Sequence, residues 1–375
     1  MIYLDYSANT PVDPQVLEQF CAVERRCIGN ANSHHQAGAA AKAEIDAATT
    51  RIAALLGVQP AEVIYTSGAS ESNNFALKGL ARLSRHAGKH IISTPLEHSS
   101  VSGTLTALQE QGYEIDLLDV KRDGTVDLDQ LRELLRPDTI AVAVTLVDSE
   151  LGVVQPVDEI AAILKDYPHC RLHVDATQAV GKIPVSFEGV DTMSLTAHKF
   201  YGLNGIGLLL KRRNLALEPL IHGGESTTIY RSGTPAVALA SSLACALELA
   251  VENLPERAAA VRKRNADLRA ALSAYPEVRI NSPEHAIPQI LNLSVRNVKG
   301  TVFQRELDAR GVCVSVKSAC SSDGLPSRAV FAVSRDRRNA LSSWRISLSH
   351  LTTEAEIREF LAAFDACCRQ LTAPQ

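Results

Sequence analysis

The chain has 375 residues, 46% of them hydrophobic and 21% charged, with a formal net charge of −4. That length suits two domains around a large core, and the charge balance supplies no broad basic face for direct nucleic-acid binding. The 8 cysteines include no CxxC pair and no cluster with histidine at metal-ligand spacing, so no metal site is expected and the thiols read as reduced. The start, Met1-Ile2-Tyr3-Leu4-Asp5, carries no signal-peptide pattern and no apolar run reaches membrane-spanning length, so a cytoplasmic protein without a membrane partner is expected.

In chain order, residues 39–56 read as an alanine-rich helix stopped by Gly57. From about residue 60 to 210, short β-rich runs alternate with helical patterns. Strands are predicted over 62–66, 90–93, 114–118, 140–145, 171–174, 192–195 and 206–210, and helices over 71–83, 101–111, 128–135 and 157–165. This alternation predicts an α/β fold: a mostly parallel seven-stranded sheet with helices on both faces. Residues 235–272 read as a helical connector that breaks at Pro255. Beyond it come a strand near 290–295, a helix near 302–309, strands near 312–316 and 344–348, and a final helix from about 353, the rhythm of a smaller α+β domain. Residues 321–342, rich in Ser, Arg, Asp and Gly, read as a mobile loop. The expected division is a large domain over 15–255 and a small domain built from 1–14 and 256–375, the N-terminal arm packing back on the small domain or the site.

The chemistry starts from two residues. His173-Val174-Asp175-Ala176-Thr177-Gln178 ends an apolar strand on an aspartate, and Lys199 closes Ser194-Leu195-Thr196-Ala197-His198-Lys199. A lysine can form a Schiff base with the aldehyde of pyridoxal phosphate, while an aspartate keeps its pyridine nitrogen protonated so that the ring accepts electrons. Thr66-Ser67-Gly68-Ala69-Ser70-Glu71-Ser72-Asn73 follows a strand and opens a helix, which suits a phosphate cradle and equally a simple Ser-capped helix start. His98, in Leu96-Glu97-His98-Ser99-Ser100, also follows a strand, where an imidazole stacks on a ring, moves protons, or is merely packed. Arg231-Ser232-Gly233-Thr234-Pro235 suits a phosphate or subunit contact, or an ordinary N-cap turn. Ser318-Ala319-Cys320-Ser321-Ser322 places a thiol in a polar segment, where it can ionise and act as a nucleophile. Arg345, after Trp344, offers a bidentate site for a carboxylate or an ion pair.

Taken in order and spacing, these motifs resemble the cysteine desulfurases, the NifS/IscS-like branch of the fold-type I pyridoxal-phosphate enzymes (class V aminotransferase group). The similarity runs from Tyr3-Leu4-Asp5-Tyr6-Ser7-Ala8-Asn9-Thr10-Pro11 through Leu151-Gly152-Val153-Val154-Gln155 to the strand holding Arg345. The resemblance implies conversion of L-cysteine to L-alanine with sulfur passing to Cys320 as a persulfide, for delivery to an unidentified acceptor protein, in a homodimer. It implies Lys199 as the Schiff-base lysine and carrier of the Cα proton, Asp175 as the pyridine partner, and His98 as the ring-stacking acid/base histidine. Ala69, Ser70, Thr196 and His198 are the implied phosphate contacts, with Thr234 reaching the phosphate of the other protomer. Gln178 and Ser149 are the implied donors to the ring's phenolic oxygen, and Asn9 and Arg345 the implied substrate contacts. Departures from the family pattern cluster at the same mouth: Asp148-Ser149 where Asn-Asn is usual, Ala197 for Gly, Lys317 for a small residue and His350 for Arg. They leave a close analogue of cysteine open as substrate, with selenocysteine or C–S lyase chemistry as the alternative. A weakly catalytic sulfur-delivery scaffold is the reading from another class, and retention of both Lys199 and Cys320 argues against it.

Overall fold

The computed structural model describes residues 1–317 and 325–372. Seven strands form one sheet in the spatial order Val63–Thr66, Gly207–Lys211, Thr192–Thr196, Arg171–Asp175, Thr139–Thr145, His90–Ser93, Glu114–Leu117. Of these, only Gly207–Lys211 runs against its neighbours. Each of the seven strands predicted for this sheet is present within a residue or so of its expected limits. The physical signal was the unbroken apolar run, since a strand covered on both faces needs no polar alternation. Thr139–Thr145 shows this: Val142 and Val144 pack with Ile160, Leu164 and Leu247, whereas Ala141 and Ala143 pack with Leu77 and Leu105 on the opposite face.

The connector is two helices, Val237–Glu252 and Leu254–Leu272, bent by 65°. Pro255 sits in the first turn of the second helix, where its missing N–H costs nothing. Beyond it, Val278–Ile280, Ile290–Val295 and Ser343–Ser347 form an antiparallel three-stranded sheet. Trp344 and Ile346 join Phe303, Phe360 and Phe364 in a second core, where the Phe303 and Trp344 rings stack at 5.2 Å. The N-terminal arm belongs to this second core: Ile2–Tyr3 pairs in parallel with Val312–Cys313, and Ile2 and Leu4 are buried in it.

Three expectations change. The strand expected over 312–316 is only Val312–Cys313. Helix Pro14–Arg26 was not expected; its apolar face is narrow, Val16, Phe20 and Val23, and of its residues only Val16 and Val23 are buried. The segment expected to be a loop over 321–342 carries helices Arg328–Ser334 and Arg337–Ser342; its residues 321–324 lie outside the described residues. Both helices are capped: the Ser327 hydroxyl accepts from the Val330 N–H at 3.0 Å, and Asp336 Oδ1 from the Arg338 N–H at 2.9 Å. Ala329, Val330 and Ala332 are buried against Leu96, Leu151 and Val153, which anchors the segment over the large sheet's edge.

Candidate active site

Strands of like direction end together, and the loops leaving them share one space. A cavity of about 350 Å3 lies beyond these C-terminal ends. From the successive strand ends come Ser67 to Glu71, then His98, then Ser149, then Asp175 with Gln178, and finally Thr196, His198 and Lys199. Arg345 of the small sheet and the Ser7–Ala8 stretch of the N-terminal arm complete the lining.

Lys199 Nζ donates to the carbonyls of Ser7 at 2.8 Å and Ala8 at 2.7 Å. The lysine ends a short 3-10 turn, Ala197–Lys199, which is tied to the arm: His198 O accepts from the Thr10 N–H at 3.0 Å and from its hydroxyl at 2.9 Å. Asp175 is buried, and its carboxylate accepts from Asn73 Nδ2 at 2.8 Å and the Thr177 N–H at 2.9 Å. Charge-assisted bonds of this kind hold an anion in a dry site.

The segment 66–73, where a phosphate cradle is expected, forms the start of a helix. Gly68, with φ at +152°, opens helix Ala69–Leu83, whose first N–H groups have no partner inside the helix. A side chain at Gly68 would stand 3.5 Å from the Thr196 hydroxyl and narrow that cradle. Gly207 lets the loop lie flat on the sheet, because a Cβ there would meet Gly68 Cα at 2.6 Å. Thr196 Oγ1 and His198 Nδ1 lie 3.1 Å apart beside it. Burial, helped by Lys199 and Lys182, pushes the His198 imidazole down to about 4, so it sits there neutral.

Arg345 is 2% exposed. Its Nη1 donates to the Ser149 carbonyl at 2.7 Å and its Nη2 to Asp5 Oδ1 at 3.0 Å, while Nε has no partner among the described residues. An unpaired N–H on a buried guanidinium leaves room for one more acceptor. Gln178 is turned by two neighbours: its Nε2 donates to the Ser7 carbonyl at 2.9 Å and its Oε1 accepts from Lys182 Nζ. Burial holds Lys182 well below the usual lysine range.

Two predicted residues stand apart. Thr234 lines a neighbouring cavity with Thr66, Ser67 and Arg231, and Asn9 donates to the Thr10 carbonyl without lining the main cavity. Cys320 lies outside the described residues. The reading of the sequence assigned no role to Ser100, Lys182, His173 or Asn73. Asn73 had a signal: with Ala76, Leu77 and Leu80 it lies on one helical stripe, so it is a polar side chain on a buried face and needs partners. Among the described residues no group of acidic, His and Cys side chains is set to hold a metal ion. No single helix among them is long and apolar enough to cross a membrane.

The donor set fits pyridoxal phosphate: an amine, a carboxylate for the ring nitrogen, a helix start for the phosphate and an imidazole share one cavity. Comparison with known proteins agrees. Residues 2–360 match the family model for the class-V aminotransferases. A cysteine desulfurase IscS of Proteus mirabilis is 40% identical, covering 95% of this chain and 90% of its own. One from Dictyoglomus turgidum is 36% identical, covering 99% and 95%. The solved structure of a NifS-like protein superposes with a TM-score of 0.93 at 35% identity, covering 99% of this chain and all of its own.

Proposed function

Because the chain belongs to the class-V aminotransferases, in their NifS/IscS-like cysteine desulfurase branch, we propose that its cavity binds pyridoxal phosphate and converts L-cysteine to L-alanine, passing the sulfur to Cys320 and on to an acceptor protein. The observation that carries this reading is the shared cavity of Lys199, Asp175 and Arg345, three residues with distinct and complementary tasks. When bound, the cofactor supplies an aldehyde for an amine and a protonated ring that accepts the electrons released at the substrate Cα.

The chain's own residues do the rest. The helix start at Ala69 and Ser70, with Thr196 and His198, would hold the phosphate. Asp175 would pair with the ring nitrogen, and His98 would pack against the ring. Gln178 and Ser149 would serve as donors to the phenolic oxygen. Arg345 takes the substrate carboxylate, which orients the Cα hydrogen toward Lys199. Lys199 would remove that proton and hold it for return. The Cys320 thiolate then attacks the substrate sulfur: the S–S bond forms, the Cβ–S bond breaks, and the electron pair left on carbon is protonated to give alanine. L-cysteine and one thiol thus yield alanine and one persulfide. In a homodimer, Thr234 completes the phosphate site across the interface, consistent with its separate cavity. We place a large domain over 15–255 and a small domain of 1–14 with 256–375; the separate core of Ile2, Leu4, Trp344 and Phe364 supports that division.

The test is incubation of the purified protein with L-cysteine, reading alanine and protein-bound sulfane sulfur. Wild type forms both in equal amounts. Cys320→Ala binds the cofactor yet forms no persulfide; continued alanine release by that variant at the wild-type rate would replace the desulfurase reading with a C–S lyase.

A further inference from the structure

Asn73 is fully buried, and each of its amide's hydrogen-bonding positions is taken. Nδ2 donates to Asp175 Oδ2 at 2.8 Å and to Ser100 Oγ at 2.9 Å; Oδ1 accepts from His173 Nε2 at 3.0 Å and from the Ser194 hydroxyl. A carboxylate only accepts, so the NH2 side must face Asp175 and the amide has one permitted orientation. His173 then carries its hydrogen on Nε2, and its Nδ1 accepts from the Thr192 hydroxyl at 2.9 Å. Burial pushes that imidazole down to about 4, so it is a neutral strut.

The same orientation reaches the cavity through Ser100. Its oxygen receives an N–H from Asn73 and lies 2.8 Å from His98 Nδ1, to which its own hydrogen can turn. The Ser100 backbone N–H also donates to His98 Nδ1, at 3.1 Å, because His98 caps helix Ser99–Gln109. A ring nitrogen that accepts two hydrogen bonds holds no hydrogen of its own.

We propose that Asn73, acting through Ser100, is a positioning residue that locks His98 as a neutral imidazole with its one N–H on Nε2. His98 therefore meets whatever fills the cavity as a hydrogen-bond donor, and Lys199 is left as the base. This rests on the pyridoxal-phosphate reading only for the identity of what is met there. The surroundings agree. Burial lowers the His98 imidazole's affinity for a second proton. Of the charged groups that face it, Lys199 also lowers it and Asp175 opposes. The positive end of helix Ser99–Gln109 disfavours the imidazolium further. A neutral imidazole at a helix start acting as a donor is an established catalytic arrangement in other folds.

The test uses the full chain, free of cofactor and labelled with 15N-histidine, followed by two-bond proton–nitrogen correlation spectra across pH, with His98→Gln assigning the signals. Wild type should show His98 in the single Nε2–H form, titrating below the ordinary histidine value. Ser100→Ala and Asn73→Ala should populate both tautomers and move the titration up, and Ser100→Thr, which keeps the hydroxyl, should restore the wild-type pattern. A wild-type signal with the proton on Nδ1 overturns the proposal, as does Ser100→Ala with an unchanged tautomer and titration. The Ser100 pair decides the matter even if Asn73→Ala fails to fold. Because the spectra need no turnover, a protein that shows the predicted tautomer yet makes no alanine from L-cysteine refutes the desulfurase reading and leaves this one standing.

Discussion

The wall that carries Lys199 and Asp175 and the wall that carries Arg345 face one cavity, yet they are assembled differently. The first is the edge of a single sheet. Its groups stand at the ends of strands that already share a core, and Asp175 is held by Asn73 and its own neighbour Thr177. The second is a meeting of three distant segments: Arg345 on the small sheet, Asp5 on the N-terminal arm and Ser149 beyond the strand Thr139–Thr145. Asp5 also accepts from the Ser315 hydroxyl at 2.7 Å and bridges to Ser347, so one carboxylate braces the arm, the small sheet and the segment leading to Cys320. The comparison teaches that the wall of Lys199 and Asp175 rests on the packing of one sheet, whereas the wall of Arg345 depends on how segments far apart in the chain meet through the arm.

The largest expected effect tests the first wall alone. Lys199→Ala should lower alanine formation by about 10^3-fold or more, in the range of a lost proton carrier, while leaving the denaturation midpoint close to wild type. A large drop in stability would mean that the lysine's bonds to the Ser7 and Ala8 carbonyls hold the arm, and the two walls would no longer be separable.

Asp5→Ala should do the reverse. It strips a 2%-exposed guanidinium of its carboxylate, a change that costs about 3 kcal/mol in buried pairs. Urea unfolding should show that loss, and KM for L-cysteine should rise because Arg345 is no longer aimed. Unchanged stability would show that the arm is not the brace between the walls.

Gly207→Ala sharpens the picture of the first wall. A Cβ there meets Gly68 Cα and the Leu195 carbonyl, each at 2.6 Å, so backbone must shift. A cost of about 2 kcal/mol is expected, with weaker binding of inorganic phosphate and of pyridoxal phosphate, measured by calorimetry. Loss of stability with phosphate binding intact would place the anion elsewhere.

A further effect is a pH dependence at the base of the same wall. Burial pushes the Glu97 carboxyl up to about 8 in the folded state. Between its unfolded value near 4.3 and that folded value, the native state holds a proton that the unfolded chain has released. Stability contributed by this group is therefore present below the unfolded value and is lost as pH rises toward 8, by at most about 1.4 kcal/mol per pH unit. Glu97→Gln, which cannot ionise, should flatten that fall in thermal midpoint between pH 5 and 8. Identical slopes for wild type and variant would show that the carboxylate is paired and charged. Asp148, pushed up to about 7 by burial and by Glu150, adds to the same slope and remains in the variant.

Much of the first wall was legible in the chain. The seven β-rich runs announced their strands, and Asp175, His98 and Lys199 each lay at or just beyond the end of one. Helix Pro14–Arg26 also carried a readable sign that went unused: Asp13 caps it and Pro14 fills its first position. The helices after Ser327 and Asp336 were hidden for another reason. Their polar composition signals a loop, and what stabilises them is burial of Ala329 and Val330 against Leu96 and Val153, which no local pattern reveals.

By itself, then, the order of residues determined the strand succession, the strand-end position of the chemical groups and the family they resemble, because these depend on local periodicity and on neighbours close along the chain. Tertiary structure alone decided that Asp5 would share Arg345 with Ser149, that Thr234 would face a separate cavity, and which way the Asn73 amide would turn. Those outcomes arise where segments far apart in the chain meet in a dry interior, and there each buried donor or acceptor must take whichever partner the packing brings to it.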